Sequence, residues 1–151
     1  MMSEQQLRAV ALFFAFALPE ERIAMQAAEK AVTEIKSEIT KSNAKSDESK
    51  NVLIVRACRN SFQRSKKQIQ RRNPRFQFGK SVLFPDHTDP SPWIRFQAEA
   101  GDDELLAVIL NKILKIPEVE IAQGLDISDG TVRYRVSRAV RRLGRLTQLR
   151  A

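Results

Sequence analysis

Residues 118–143, EVEIAQGLDISDGTVRYRVSRAVRRL, constrain the fold of this chain more than any other segment. Two runs with helical spacing flank the short connection LDISDGTV. The apolar positions of the two runs are Val119, Ile121, Ala122 and Leu125, then Val132, Val136, Ala139 or Val140, and Leu143. Ile127 is expected to close the turn, and Ser128 to cap the second helix. Two helices joined by three or four residues predict a helix-turn-helix.

The outward side of the second helix is rich in arginine. It comprises Arg133, Tyr134, Ser137, Arg138, Arg141 and Arg142, with Arg135 flanking them. The planar guanidinium group can pair bidentately with guanine or phosphate. The pattern therefore predicts a helix that enters the major groove, with its N-terminal residues at base edges and its later arginines near phosphates. The alternative is an amphipathic helix whose polar face happens to be arginine.

The net charge of +8 is concentrated in two blocks. Residues 51–80 contain nine Lys or Arg and no acid, and the chain from Ile127 onward contains seven Arg and one acid. Residues 1–50 contain seven Lys or Arg against eight Asp or Glu. Two separate basic surfaces that face a polyanion would explain this distribution, because each neutralised phosphate releases counterions. Charge that serves only solubility is the alternative.

Helical spacing also dominates the rest of the chain, so we predict an all-α fold. Two helices are expected before a polar loop at 37–51, and a third, basic helix follows from Val52. Residues 73–92 contain four of the six prolines and are interpreted as a linker, with one short strand conceivable there. Four helical pieces follow. The expected organisation is two small helical domains, 1–72 and 93–151, joined by the Pro-rich linker 73–92.

Nothing in the sequence predicts an enzyme, a metal site or a cofactor. The single cysteine, Cys58, cannot form an intramolecular disulfide, which favours a reducing, cytoplasmic location, and its apolar neighbours indicate a buried filler. The one histidine, His87, has no cysteine at metal spacing and is interpreted as a surface residue. The apolar run 9–18 is about half the length of a membrane span. It is interpreted as a buried helix rather than a signal-peptide core.

The C-terminal run resembles the last conserved region of bacterial sigma factors, especially the two-domain extracytoplasmic-function group. The matching residues are Glu120, Ile121, Ala122, Leu125, Ile127, Ser128, Gly130, Thr131, Val132, Ser137, Arg138, Ala139 and Leu143. A second run, VLIVRACRNSFQRSKKQIQRR at 52–72, is similar to the basic helix that ends such a factor's first domain. Together the two regions and their linker cover nearly the whole chain.

This resemblance implies a factor that binds promoter DNA and the RNA polymerase core, with an anti-sigma protein as a further possible partner. In the first domain it implies DNA contacts from Arg56, Arg59, Asn60, Arg64, Lys66 and Lys67. In the second it implies contacts from Ser128, Thr131, Arg133, Tyr134, Arg135, Ser137, Arg138, Arg141 and Arg142.

The sequence also departs from the family pattern. The helix that would grip the polymerase has few acids and no aromatic residue, Asp126 replaces a turn glycine, and Tyr134 stands where a small residue is usual. Two alternatives therefore stay open. One is a sigma-like regulator that has lost direct contact with the polymerase core, and the other is a protein-interaction module.

Overall fold

The computed structural model describes residues 2–72 and 89–148, and within them the chain forms helices and no strand. The seven helices are α1 (Glu4–Ala17), α2 (Glu21–Ser42), α3 (Asp47–Arg72), α4 (Ser91–Glu99), α5 (Asp102–Val108), α6 (Glu118–Leu125) and α7 (Asp129–Gln148). The prediction of an all-α fold is confirmed. His87, the conceivable strand and most of the predicted linker lie outside the described residues.

Helix α1 begins at a capping box. The Ser3 hydroxyl accepts a hydrogen bond from the Gln6 backbone N–H (3.1 Å), and the Gln6 side chain accepts one from the Ser3 N–H (2.8 Å). The apolar run of α1 packs inward, and Val10, Phe13, Phe14 and Ala17 are buried. None of the helices in the described part of the chain has both the length and the apolar character that a membrane crossing requires.

Helix α2 buries a stripe at helical spacing, which comprises Ile23, Ala27, Ala31, Ile35 and Ile39. The helix ends at Asn43, which adopts the left-handed conformation (φ 55°) in which asparagine is tolerated. The loop predicted at 37–51 is much shorter in the structure, because α2 continues to Ser42 and α3 already begins at Asp47. The polar residues at these two helix ends are helical but mostly exposed to solvent, and apolar periodicity gives no signal there.

Helix α3 passes through the middle of the molecule. Its apolar residues Val55, Cys58 and Phe62 are fully buried, and the Ser61 hydroxyl donates a hydrogen bond to the carbonyl of Ala27 on α2 (2.8 Å). The ring of Phe62 contacts the edge of Phe13 from α1, with ring centres 6.5 Å apart. These contacts join α1, α2 and α3, which we call the N-terminal group.

Helices α4 to α7 form the C-terminal group. Helix α5 continues through a π-helical turn at 109–113, and the segment ends near Lys115, which has a positive φ of 60°. The Asn111 side chain holds the following turn by donating to the Ile116 carbonyl (3.1 Å). Helix α7 packs against α4, α5 and α6, and the C-terminal group thereby buries its own apolar residues, including Phe96, Leu105 and Ile121.

The two groups also pack against each other. Trp93 Nε1 (3.0 Å) and Gln97 Nε2 (2.8 Å), both from α4, donate to the carbonyl oxygen of Phe16 on α1. The Phe16 and Trp93 rings meet edge to face at 5.3 Å. Helix α3 packs along α6, so that buried residues of both groups form a continuous apolar cluster.

Candidate nucleic-acid interface

The helix pair α6–α7 is joined by three residues, 126–128. Asp126 takes the left-handed conformation (φ 59°, ψ 48°), which aspartate adopts more readily than most residues. The Ile127 N–H donates to the Ala122 carbonyl (3.0 Å), and the half-buried Ile127 side chain packs on the core. The Ser128 hydroxyl then accepts from the Thr131 N–H (3.1 Å) and caps α7. The predicted turn and cap are confirmed.

The inner side of α7 is the predicted apolar stripe. Of the two alternatives Ala139 and Val140, it contains Ala139. Val132, Val136 and Ala139 are buried, whereas Val140 is 45% exposed. Leu143 is half-buried against the core, and the buried Leu146 extends the stripe by a further turn. One predicted core position of α6 is wrong: Val119 is 48% exposed, because the buried side of α6 is centred on Glu120, Ile121 and Gly124.

The outer side of α7 carries the predicted polar residues. Arg133, Tyr134, Ser137, Arg138 and Arg141 are exposed, and Arg135 and Arg142 are half-buried at its margins. The side chains of Ser128 and Thr131 lie at the beginning of α7, and their hydroxyl groups are 2.8 Å apart. The buried stripe therefore fixes which side of α7 faces solvent, and that side is basic.

Carboxylates of α5 and α6 form ion pairs with arginines of α7. Glu104 receives two of them: Arg138 Nε lies 3.0 Å from Oε1, and Arg142 Nε lies 3.4 Å from Oε2. The Glu104 side chain is only 14% exposed, so these ion pairs are partly shielded from water.

Two further pairs flank this one. Arg133 Nε lies 3.2 Å from Glu118 Oε2, and Arg135 Nη2 lies 3.6 Å from Asp103 Oδ2. Sequence reasoning missed the pairing of Asp103 and Glu104 with α7, because residues about thirty positions apart in the chain show no shared periodicity.

Tyr134 and Arg138 form a second contact on the outer face. The Tyr134 hydroxyl accepts a hydrogen bond from Arg138 Nη1 (3.0 Å), and the guanidinium carbon lies 5.7 Å from the centre of the tyrosine ring. The hydrogen bond and the charge interaction with Tyr134, followed by the charge of Glu104, raise the pKa of Arg138 above its usual value. The hydrogen bond and the ring contact hold the Arg138 side chain close to the helix surface.

A shallow basic pocket of about 280 Å³ lies along the C-terminal half of α7. It is lined by Tyr134, Arg138, Arg141, Arg142 and Arg145. Within the described residues, neither Arg141 nor Arg145 forms an ion pair. Sequence reasoning missed Arg145, although its position one helical turn after Arg141 and Arg142 could have indicated it. Several guanidinium groups around one depression would suit phosphate oxygens.

The basic residues of α3 lie in different surroundings. Asn60 Nδ2 donates to Glu34 Oε1 on α2 (3.3 Å), and Arg64 Nη2 lies 3.6 Å from Glu34 Oε2. Arg59 in turn donates to Asn60 Oδ1 at 3.1 Å and 3.3 Å. Glu34 thus organises three of the six residues predicted to contact DNA in the N-terminal group.

Of the other three predicted α3 residues, one forms an ion pair and two are exposed cations. Lys66 Nζ lies 3.0 Å from Asp102 Oδ1 at the start of α5 and 5.8 Å from the centre of the Phe62 ring. Arg56 and Lys67 are exposed, and neither forms an ion pair with a described residue.

The remaining reactive group of the N-terminal half is buried. Cys58 is fully inaccessible, and burial raises the pKa of its thiol well above the usual value, with a smaller contribution from the charge of Glu34. The thiol is therefore protonated and acts as the apolar filler that the sequence predicted. Among the described residues, no cluster of three or more His, Cys, Asp or Glu side chains could hold a metal ion.

A solved structure is similar to this chain over nearly its full length. It is the sigma factor RpoE from Bartonella quintana in complex with the anti-sigma factor NepR. The two chains superpose with a TM-score of 0.74 at 19% sequence identity, covering 95% of this chain and 92% of the other. No family model and no curated protein matches the sequence significantly. The resemblance found in the sequence is confirmed in three dimensions, and this chain has a sigma-factor fold.

Proposed function

We propose that this protein is a divergent sigma factor that directs RNA polymerase to promoters. The observation that carries the proposal is the outer face of α7, which exposes Arg133, Tyr134, Arg138, Arg141 and Arg145 while its inner face is anchored in the core. The sigma-factor fold of the whole chain supports the same function. In this proposal the domains are 1–72 and 93–151, and α6–α7 is a helix-turn-helix.

Helix α7 would occupy the major groove at the upstream promoter element. Ser128, Thr131, Arg133 and Tyr134 lie on its first turns, where side chains of a recognition helix reach base edges. Arg138, Arg141 and Arg142 lie one to two turns later, where they would contact phosphates, as would the newly identified Arg145. Carboxylate oxygens of Glu118 and Glu104 lie 3.0–3.4 Å from the Nε atoms of Arg133, Arg138 and Arg142. Pairing through Nε leaves terminal nitrogens that can donate to DNA.

Helix α3 would contact DNA nearer the start site. Arg56 and Lys67 are exposed for this role, and Arg59, Asn60, Arg64 and Lys66 would join them after exchanging their present partners for phosphates or unstacked bases. The protein needs no catalytic group of its own, because the polymerase would carry out the chemistry. Its role would be to recognise double-stranded promoter DNA in the cytoplasm.

A second candidate is a sigma-like regulator that does not bind the polymerase core directly. The observation that favours it lies on α2, whose exposed side carries Met25 (61% exposed) and no aromatic residue. An acidic or helical protein partner on the basic surfaces is compatible with both candidates. The similarity to a sigma factor that was crystallised with an anti-sigma factor supports such a partner.

Transcription in vitro with purified core polymerase on a library of genomic fragments tests the leading candidate. We expect transcripts that start downstream of a shared sequence and depend on the added protein. Stable capture of core polymerase without such transcripts, or transcripts without dependence on the protein, would contradict it. No capture together with sequence-specific DNA binding would favour the regulator.

The Arg133→Ala variant tests base reading by α7. We expect binding to the selected sequence to weaken by about 1–3 kcal/mol and the preference at one base position to relax, because a bidentate base contact is lost. Competition binding with single-base variants of the selected duplex measures both effects. If affinity falls equally on every duplex, Arg133 contacts only the backbone.

A further inference from the structure

Helix α7 carries two separate stripes on its exposed side. The first stripe lines the basic pocket and consists of Tyr134, Arg138, Arg141 and Arg145 at helical spacing, with Arg142 beside them. The second consists of Arg133, Ser137, Val140 and Gly144 and contains a single charged residue. Successive residues of an α-helix lie about 100° apart around its axis, so the two stripes point in different directions. A DNA groove that received Arg133 at its floor would leave the pocket to one side.

The pocket holds more positive charge than its neighbours neutralise. Four guanidinium groups line it, and Glu104, which pairs with Arg138 and Arg142, is the one carboxylate that contacts them within residues 2–72 and 89–148. Arg141 and Arg145 are exposed and form no ion pair in this part of the chain. Four guanidinium groups less one carboxylate leave an excess of three positive charges around one depression. Crowded cations repel each other, and an anion between them would remove that repulsion.

Arg142 and Glu104 are close together without being hydrogen bonded. Arg142 Nε lies 3.4 Å from Glu104 Oε2, yet both atoms are buried and neither has a hydrogen-bond partner among the described residues. A buried donor without an acceptor is unfavourable. The Arg142 guanidinium group, whose side chain is 31% exposed, therefore gains by turning toward an acceptor in the pocket.

Tyr134 adds a neutral donor and an aromatic surface. Its hydroxyl oxygen accepts a hydrogen bond from Arg138 Nη1 (3.0 Å), which leaves the hydroxyl proton for a further acceptor. The residue is 57% exposed. An exposed tyrosine ring is also a surface on which a nucleobase can stack.

The size and the charge of the pocket together favour a compact, highly charged anion. Its volume of about 280 Å³ is close to the lower end of pockets for small ligands, roughly 300–1,000 Å³. Such a depression is about 7 Å across, and a DNA strand carries one charge per about 3.4 Å of helix axis, so DNA would place about two charges in it. A terminal phosphate group alone carries about 1.5–2 negative charges at pH 7. About two or three linked phosphates therefore match the excess of positive charge better than a DNA strand does.

We propose that the pocket is a binding site for a chain of about two or three linked phosphates, either as a free anion or as part of a nucleotide. The four arginines pair with phosphate oxygens, and the Tyr134 hydroxyl donates to one of them. The site itself does not depend on the proposed function. One consequence does rest on it: the same arginines are assigned to promoter phosphates, so the bound anion and promoter DNA exclude each other at α7.

Isothermal titration calorimetry of the full-length protein with tripolyphosphate tests the site, at about 0.15 M salt and without divalent cations. Orthophosphate and citrate serve as control ligands, because the first has a single phosphate group and the second has several charges but no phosphate. We expect tripolyphosphate to bind at least about tenfold more tightly than either. Equal affinity for the three anions, or no binding of tripolyphosphate, overturns the proposal.

Two double variants of equal net charge place the site on the protein. Arg141→Gln with Arg145→Gln removes the two arginines that have no ion pair, and Lys36→Gln with Lys41→Gln removes two exposed charges of α2. We expect the first to lose at least about tenfold in affinity for tripolyphosphate and the second less than about twofold. All four positions are exposed, and circular dichroism checks that the helix content is unchanged. Equal losses would mean that only net charge matters and would overturn the site.

A further comparison identifies the source of the phosphates. ATP carries the same triphosphate chain on a nucleoside. Tighter binding of ATP than of tripolyphosphate assigns a nucleotide that stacks on Tyr134, and equal or weaker binding assigns the free anion; both results support the phosphate site. Tyr134→Phe keeps the ring and removes the hydroxyl group, so we expect affinity for either ligand to fall by roughly two- to fivefold. Unchanged affinity would contradict the part assigned to the hydroxyl group.

Displacement of DNA separates failure of this inference from failure of the proposed function. A labelled random-sequence duplex of about 20 base pairs reports DNA binding by fluorescence anisotropy. We expect tripolyphosphate to release the duplex at least about tenfold more effectively than citrate at the same ionic strength. Equal release by both overturns the exclusion at α7. A protein that binds the duplex but not tripolyphosphate overturns this inference alone, and one that binds tripolyphosphate but no duplex overturns the proposed function and leaves the site standing.

Discussion

Helices α3 and α7 are the two basic helices of this molecule, and they hold their cations in different ways. Helix α3 is enclosed by α1, α2 and α6, so that its basic residues meet Glu34 of α2 and Asp102 of α5. Helix α7 packs with one side only, and its partners Glu104 and Glu118 lie behind the arginines. Similar basic charge in the two helices therefore does not mean that their cations are equally available. Availability depends on how many neighbours each helix has.

The largest expected effect concerns the burial of α3 among its neighbouring helices. Phe62→Ala removes a fully buried ring that contacts Phe13, and we expect the free energy of unfolding to fall by about 3–5 kcal/mol. Tyr134→Ala, on the exposed side of α7, should change it by less than about 0.5 kcal/mol. Urea unfolding followed by circular dichroism measures both. If the free energy of unfolding falls by a similar amount in both variants, the two helices are enclosed to the same degree.

The buried thiol of α3 makes stability depend on alkaline pH. Its pKa is raised in the folded protein, so the contribution of Cys58 is complete below its unfolded pKa of about 8.5. Above that pH the unfolded chain loses the proton and the folded chain keeps it. Stability should then fall by up to about 1.4 kcal/mol per pH unit. The Cys58→Ala variant should lack this part of the slope between about pH 8.5 and 10, and identical slopes would place the thiol in contact with water.

The difference in availability can be tested with one arginine from each helix. Arg141→Ala on α7 should weaken binding to duplex DNA by roughly five- to tenfold at 0.1 M salt and lower the salt slope by about one. Arg64→Ala on α3 should change both less, because Glu34 already holds that guanidinium group. Titrations at several salt concentrations measure affinity and slope together. The reverse order would mean that α3 is the principal DNA surface.

The smallest expected effect concerns the ion pairs between Glu104 and α7. Glu104→Gln removes a charge that now attracts Arg138 and Arg142, and we expect DNA affinity to rise by about two- to fivefold. Asp129→Asn removes the same charge from an exposed position at the beginning of α7 and serves as the control. If the two variants gain equally, pairing with Glu104 does not restrain the arginines and only net charge matters.

Much of the helix pair α6–α7 could be predicted, because its signals are local. The spacing of Val132, Val136 and Ala139 identifies the buried side, and Ser128 marks the cap within three residues of the bond that it accepts. Prediction was wrong where a residue lies at the edge of an apolar face, as Val119 does. It also misplaced the polar ends of α2 and α3, where helix formation continues beyond the last buried side chain.

The amino-acid sequence by itself determined the helices, the turn at Asp126 and the basic side of α7, because each follows from interactions within about four residues. Only the tertiary structure decided the partners of the basic residues: Glu34 for Arg64, Asp102 for Lys66 and Glu104 for Arg138. It also decided that Gly124 lies against Val55. These pairs are distant in the chain, and they meet because burying apolar surface fixes how the helices pack, while charge pairing follows from that packing.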